Sequence, residues 1–276
     1  MSLFNKVVII GTGFIGGSLG LALKKRRLAT QVIGLSRHSK NTRLAKEVGA
    51  IDNIGASLEV VADADLVIIA TPVDTIIDFG IRISKIIKKD CIVIDVGSTK
   101  ERIVSKLTTL LPNFLGCHPL AGSEKKGIAN LQDGIFKGSI CLITPTLKTN
   151  PHVLAKIKLF WRKLGAKVLT LSAKKHDQVL AFTSHLPHVV AFSLIAAIPN
   201  EFLKISSGGL KDTTRICASD ELLWSQIFLQ NRKNLLNAIS SFQSQLAALK
   251  LALNKKDAQY LTKILIIAKS KRERLG

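Results

Sequence analysis

The run Lys6-Val-Val-Ile-Ile10 leads directly into Gly11-Thr12-Gly13-Phe14-Ile15-Gly16 and then into a helical pattern, Gly16–Lys25. Few segments constrain a fold as tightly. Gly11 permits a tight turn off the strand, Gly13 lets a ligand approach the backbone, and Gly16 lets the helix pack close to the strand. An anion then meets the free N–H groups at the helix N-terminus. A lone GxGxxG is a weak signal, but one that follows an apolar strand and opens a helix reads as a dinucleotide site. The turn residues Gly11, Thr12, Gly13, Phe14, Ile15 and Gly16 are its expected cofactor contacts.

The same alternation continues. Candidate strands are Lys6–Ile10, Gln31–Leu35, Leu66–Ala70, Cys91–Val96, Phe114–His118, Ile140–Thr144 and Lys167–Thr170. Most are continuous apolar runs, as expected for strands buried on both faces of a mostly parallel sheet. Helical patterns fall between them, over 16–25, 42–48, 75–87, 100–111 and 151–164. This predicts an α/β fold with a doubly wound sheet over residues 1–172. From Asp177 onward the patterns are helical: 177–197, interrupted by Pro187, then 222–253 and 256–269. A helical domain over 173–276 is expected. A helix as long as 222–253 cannot cover its apolar stripe within so short a chain, so a homodimer through this half is expected.

Composition narrows the class. The 276 residues are 47% hydrophobic and 21% charged, so a packed core is expected rather than disorder. The formal charge is +21, from 40 Lys and Arg against 19 Asp and Glu. A nucleic-acid or membrane surface is one reading. The other is a Lys-rich proteome plus a preference for anionic small molecules, favoured because the charge is spread along the chain. Cys91, Cys117, Cys141 and Cys217 form no CxxC pair and no zinc-ligand spacing, so free thiols and no metal are expected. No basic n-region precedes the first strand, and the longest apolar stretches read as too short or too interrupted to span a bilayer. A cytoplasmic protein with no membrane or nucleic-acid partner follows as an expectation.

The second strand bears on the cofactor. An NAD site usually carries Asp or Glu at its end. Here the chain reads Gly34-Leu-Ser36-Arg37-His38-Ser39-Lys40, with no carboxylate. Ser36 and Arg37 suit a 2′-phosphate, so NADP is favoured over NAD. Ligands in open α/β sheets sit at the carboxyl ends of the strands, which makes Thr71, Pro72 and Ser98 site positions. Ser98 is placed to bond cofactor or substrate, or to cap the next helix. His118, at the end of another strand and followed by Pro, stands where a hydride-transfer site needs a proton acceptor.

The segment His118-Pro-Leu-Ala-Gly-Ser-Glu124 resembles the HP(I/M)AG(T/S)E motif of the prephenate and arogenate dehydrogenases. The resemblance continues in Ser184-His185-Leu-Pro187-His188, in Ser207-Gly-Gly-Leu-Lys211-Asp212-Thr-Thr-Arg215, and in Asn231-Arg232. It implies oxidative decarboxylation of a cyclohexadienol: hydride leaves C4, the ring carboxylate departs as carbon dioxide, and the ring becomes aromatic. It also assigns roles. His118 would accept the 4-hydroxyl proton, and Ser98 would bridge histidine, substrate and nicotinamide. Arg215 would bind substrate, with Lys211 and His188 as further anchors; Glu124 and Asp212 are acids near the entrance. Trp224 is placed near the substrate's side chain. Prephenate is favoured over arogenate. The rivals are a β-hydroxyacid dehydrogenase or imine reductase, which usually carries a catalytic Lys where this chain has His185-Leu-Pro-His188, and a non-catalytic redox-sensing or nucleic-acid-binding Rossmann protein.

Overall fold

A computed structural model describes residues 2–37, 39–121, 131 and 134–275. Strand β1 (Phe4–Ile10) is followed by α1 (Phe14–Lys25), β2 (Ala29–Leu35), α2 (Ser39–Glu47) and the two-residue β3 (Asn53–Ile54). Next come β4 (Leu66–Ile69), α3 (Ile76–Ile83), β5 (Ile92–Asp95), α4 (Glu101–Leu107) and β6 (Phe114–Leu120). The α/β part closes with β7 (Ile140–Thr144), α5 (Pro151–Lys163) and β8 (Lys167–Thr170). These strands form one sheet in the order β3-β2-β1-β4-β5-β6-β7-β8, parallel except for the β6–β7 pair. The order reverses direction between β1 and β4. That switch point opens a crevice at the strands' carboxyl ends.

The apolar runs are continuous because both faces are covered. Val7 and Ile9 of β1 pack with Leu19, Leu23, Phe160 and Trp161 on one face. Val8 and Ile10 pack with Ile76, Ile83, Val104 and Leu107 on the other. The four cysteines are free, and all but Cys217 are buried.

After β8 no strand follows among the described residues. Helix α6 (Ala173–Leu180) runs through a π-helical turn, Ala181–His185, into α7 (Leu186–Ala196). Pro187 therefore does not break the chain of helix. It lacks an N–H and its ring crowds the preceding turn, and the wider π turn just before it absorbs both. Ala173–Ala196 is thus one helix of 24 residues with a mean hydropathy of 1.6 over its most apolar window. This corrects the expectation that no stretch is long enough to span a bilayer. By length and composition alone, this one is.

Helix α8 (Gly208–Thr214), a short turn Arg215–Ala218 and α9 (Glu221–Gln230) follow. A single helix over 222–253 is not what forms. It stops at Asn231, and α10 (Arg232–Asn254) and α11 (Ala258–Glu273) come after it. Asn231 is the C-cap of α9, with φ −106° and ψ 25° outside the helical region. By internal contacts, Met1–Asn231 is one compact unit and Arg232–Gly276 another.

Candidate active site

The glycine turn has the geometry its spacing predicts. Gly11 has φ +99°, and a Cβ there would lie 2.5 Å from the Ala70 carbonyl oxygen. A Cβ on Gly16 would lie 1.9 Å from the Gly11 carbonyl oxygen. Around Gly13, by contrast, a Cβ would meet no described atom within 4 Å. Two glycines are thus required by the protein's own packing, and the third leaves room for something else. Helix α1 begins at Gly13 with no side-chain cap and no acid in its first turn. Its N–H groups stay available to an anion. The open Gly13 and uncapped helix fit a dinucleotide pyrophosphate.

A cavity of about 550 Å³ opens in front of this turn. Gly13, Phe14, Ile15, Thr71, Pro72, Ser98 and His118 line it from the sheet's carboxyl edge. His188, Ile216, Ser219, Asp220, Leu223 and Trp224 line it from the helices. Eight expected site residues therefore meet at one cavity. Gly11, Thr12 and Gly16 do not line it; Thr12 is fully buried. Ser36 and Arg37 sit beyond the end of β2, half-buried and exposed respectively, away from the cavity lining. Lys211 and Asp212 are exposed on α8, and Arg215 is exposed at the start of the next turn. None of the three lines the cavity, although Ile216, next to Arg215, does. Glu124 lies outside the described residues.

His118 is half-buried, and its Nδ1 lies 2.9 Å from Nε2 of His176. Nδ1 of His176 lies 2.8 Å from Oδ1 of Asp177. The Asp177 carboxylate also accepts the backbone N–H of Lys100 at 2.8 Å and that of Glu101 at 2.9 Å. One side chain from α6 therefore caps α4 and ends the histidine chain. Beneath it, Lys100 and Asp95 form an ion pair with both side chains fully buried. Asn231 Nδ2 donates to the Asp177 carbonyl oxygen at 2.7 Å and to Nδ1 of His185 at 3.1 Å.

The electrostatics keep the histidines neutral. Burial, then the cationic forms of His176, Lys100 and His185, hold His118 well below the usual histidine range. Burial also lowers His176, with Asp177 pulling the other way. Burial brings His185 down to about 4. A neutral imidazole facing a cavity can accept a proton at neutral pH. His176, Asp177 and the Asp95–Lys100 pair were not singled out as site residues from the sequence. The adjacent His176-Asp177 pair at the start of the first helix after the sheet was the available signal.

A mostly parallel sheet whose glycine turn after β1 and histidine on β6 line one cavity is the architecture of a nucleotide-dependent dehydrogenase. Comparison with known proteins narrows the class. Residues 19–170 match the nucleotide-binding domain model of prephenate dehydrogenase, and residues 172–266 match its dimerization domain model. A cyclohexadienyl dehydrogenase from Zymomonas mobilis is 32% identical, over 95% of this chain and 92% of its own length. The prephenate dehydrogenase of Bacillus subtilis is 30% identical, over 98% of this chain and 76% of its own. A crystal structure of the Aquifex aeolicus prephenate dehydrogenase with hydroxyphenyl propionate and NAD+ superposes with a TM-score of 0.93 at 34% identity, covering 99% of this chain and 98% of that one. The chain belongs to the prephenate dehydrogenase family, and it is an oxidoreductase.

Proposed function

We propose that this chain carries out the NAD(P)-dependent oxidative decarboxylation of prephenate, giving 4-hydroxyphenylpyruvate in tyrosine biosynthesis. The observation that carries this is His118, a neutral imidazole lining the same cavity as Gly13 and His188. The bound dinucleotide supplies the hydride acceptor. The chain's own part is binding and proton handling. The α1 N-terminus and Gly13 receive the pyrophosphate. Ser98, on the turn after β5, bonds substrate and nicotinamide. His118 takes the 4-hydroxyl proton, which lets the C4–O bond collapse toward a phenol as hydride and carbon dioxide leave. Arg215 binds a substrate carboxylate, with His188 and Lys211 as further anchors and Asp212 as an acid near the entrance.

NADP is favoured over NAD as the nucleotide, on Ser36 and Arg37 at the end of β2. The functional division falls at 172/173, with the sheet half holding the nucleotide and the helical half holding substrate and forming a homodimer. Exposed Leu246 and Leu253 of α10 and Leu265 and Ile266 of α11 supply apolar surface for that contact. A cytoplasmic location fits a biosynthetic enzyme of this kind. The decisive assay follows reduced-nicotinamide absorbance with prephenate or arogenate and with NAD or NADP. Prephenate with NADP should give the highest kcat/KM, and no turnover in any of the four combinations would refute the activity.

A further inference from the structure

The His118–His176–Asp177 chain does more than fill space behind the cavity. A carboxylate is an acceptor only, so the His176 nitrogen beside Asp177, Nδ1, carries the hydrogen and donates. Neutral His176 then has a lone pair on Nε2. That nitrogen faces Nδ1 of His118 at 2.9 Å, so His118 must carry its own hydrogen on Nδ1. Its Nε2 is left as a lone pair, and His118 lines the cavity. The chain thus selects the tautomer of His118 that can act as a base. Asp177 is itself held by two backbone N–H groups of the α4 N-terminus, so it cannot turn away.

We propose that His176 is a positioning residue for His118 and the resting place of the proton His118 removes. This rests on the reading of His118 as the proton acceptor. The 4-hydroxyl proton passes to Nε2 of His118, and the Nδ1 proton of His118 passes to Nε2 of His176. No atom is gained or lost besides the one proton entering from substrate. The positive charge ends on His176 beside the Asp177 carboxylate, and His118 is neutral again. Once hydride and carbon dioxide have left, the proton returns by the reverse path to the phenolate oxygen, and the product departs as the phenol. The two histidines share one added proton, so their titration belongs to the pair. Among the described residues, the charged and titratable groups facing the pair are Lys100, Asp95, Asp177 and His185.

Two substitutions separate the two duties. His176→Gln keeps an acceptor toward His118 but cannot take the proton. His176→Leu removes both functions at similar volume. Turnover should fall about 10²-fold in His176→Leu and about tenfold in His176→Gln, with KM for prephenate and the dinucleotide Kd within about twofold of wild type. The acid limb of kcat should move to lower pH in both, because His118 then titrates alone in a buried setting. A purely structural role would lower Tm and leave the limb in place. Wild-type limbs and kcat within about twofold in both variants would overturn the proposal. Should the variants not fold, long-range ¹H–¹⁵N correlations on the wild-type protein give the tautomers directly. Nδ1–H at both histidines is expected, and Nε2–H at either, in the neutral state, would overturn it. That measurement needs no substrate, so it stands even if prephenate proves not to be turned over.

Discussion

His188 and Trp224 stack face to face, their ring centroids 3.3 Å apart and their planes 22° from parallel. His188 also donates from Nδ1 to the Ser184 carbonyl oxygen at 3.0 Å. Its Nε2 is therefore the nitrogen left to meet a ligand, and only the imidazolium can donate from it. Burial holds its pKa below the usual value, so free His188 is mostly neutral near pH 7. A bound carboxylate favours the charged form, so binding takes up a proton. KM for prephenate should then fall as pH falls, and His188→Asn should raise KM about tenfold near pH 6 and flatten that slope, as for the loss of one charge-assisted hydrogen bond. Parallel KM–pH profiles in both proteins would remove His188 from carboxylate binding.

His118→Asn removes the proton acceptor without touching the glycine turn. General-base catalysis is typically worth ~10²–10⁴-fold, and kcat should drop within that range. Dinucleotide binding, read by quenching of tryptophan fluorescence, should be unchanged. A variant that keeps turnover within about tenfold would show that another group takes the proton.

Gly13 and Gly16 should fail in different ways. Gly16→Ala forces a methyl to 1.9 Å from the Gly11 carbonyl oxygen, and backbone cannot yield there cheaply. Soluble, folded protein should be scarce. Gly13→Ala meets no described protein atom and Gly13 has φ −74°, so its Tm should match wild type. The methyl would instead stand where a pyrophosphate approaches, and the dinucleotide Kd should rise at least about tenfold, or about 1.4 kcal/mol. Wild-type affinity in Gly13→Ala would mean that the ligand does not cross this turn.

The contrast between these glycines and the histidine chain shows where sequence reasoning reaches. Strands such as Ile140–Thr144 and Lys167–Thr170 could be read to the residue, because continuous apolar runs between turn signals have few alternatives. The cavity-lining residues Ser98, His118 and His188 were legible from strand-end geometry and motif resemblance. Asp177 was not. Its partners, Lys100 and Glu101, lie 77 and 76 residues away, and no local pattern encodes that separation. The break at Asn231 was missed for the same reason. Its role is tertiary: its amide reaches the Asp177 carbonyl oxygen, 54 residues away, and no local pattern encodes that contact. Two-residue β3 carries too little pattern to be seen at all.

Arg37 tests the nucleotide choice. It is exposed just past β2, where an NAD-specific site would carry an acid. Arg37→Ala should cost the enzyme about tenfold or more in kcat/KM with NADP, the worth of a charge-assisted hydrogen bond to phosphate. With NAD the change should stay within about threefold. Equal losses with both nucleotides would show that Arg37 stacks on adenine and does not discriminate.

His185 sets part of the acid limit of stability. It is 1% exposed, accepts at Nδ1 from Asn231, and burial lowers its pKa to about 4. In the unfolded chain its pKa is about 6.5. Between these values the unfolded state binds a proton that the folded state refuses, so stability falls as pH falls. The contribution is fully present above about pH 6.5 and is lost on the way down to pH 4. A shift of about 2.5 units at about 1.36 kcal/mol each gives about 3 kcal/mol. His118 and His176, lowered by the same burial, add to the loss in the same direction. Urea unfolding at pH 7 and pH 4 should therefore show wild type losing about 3 kcal/mol more than His185→Gln across that interval. The variant starts less stable at pH 7, because it gives up a packed ring and its bond to Asn231, so the slope is the measurement that counts. Equal slopes would mean that His185 is protonated in the folded protein and that Asn231 has turned its amide oxygen toward it.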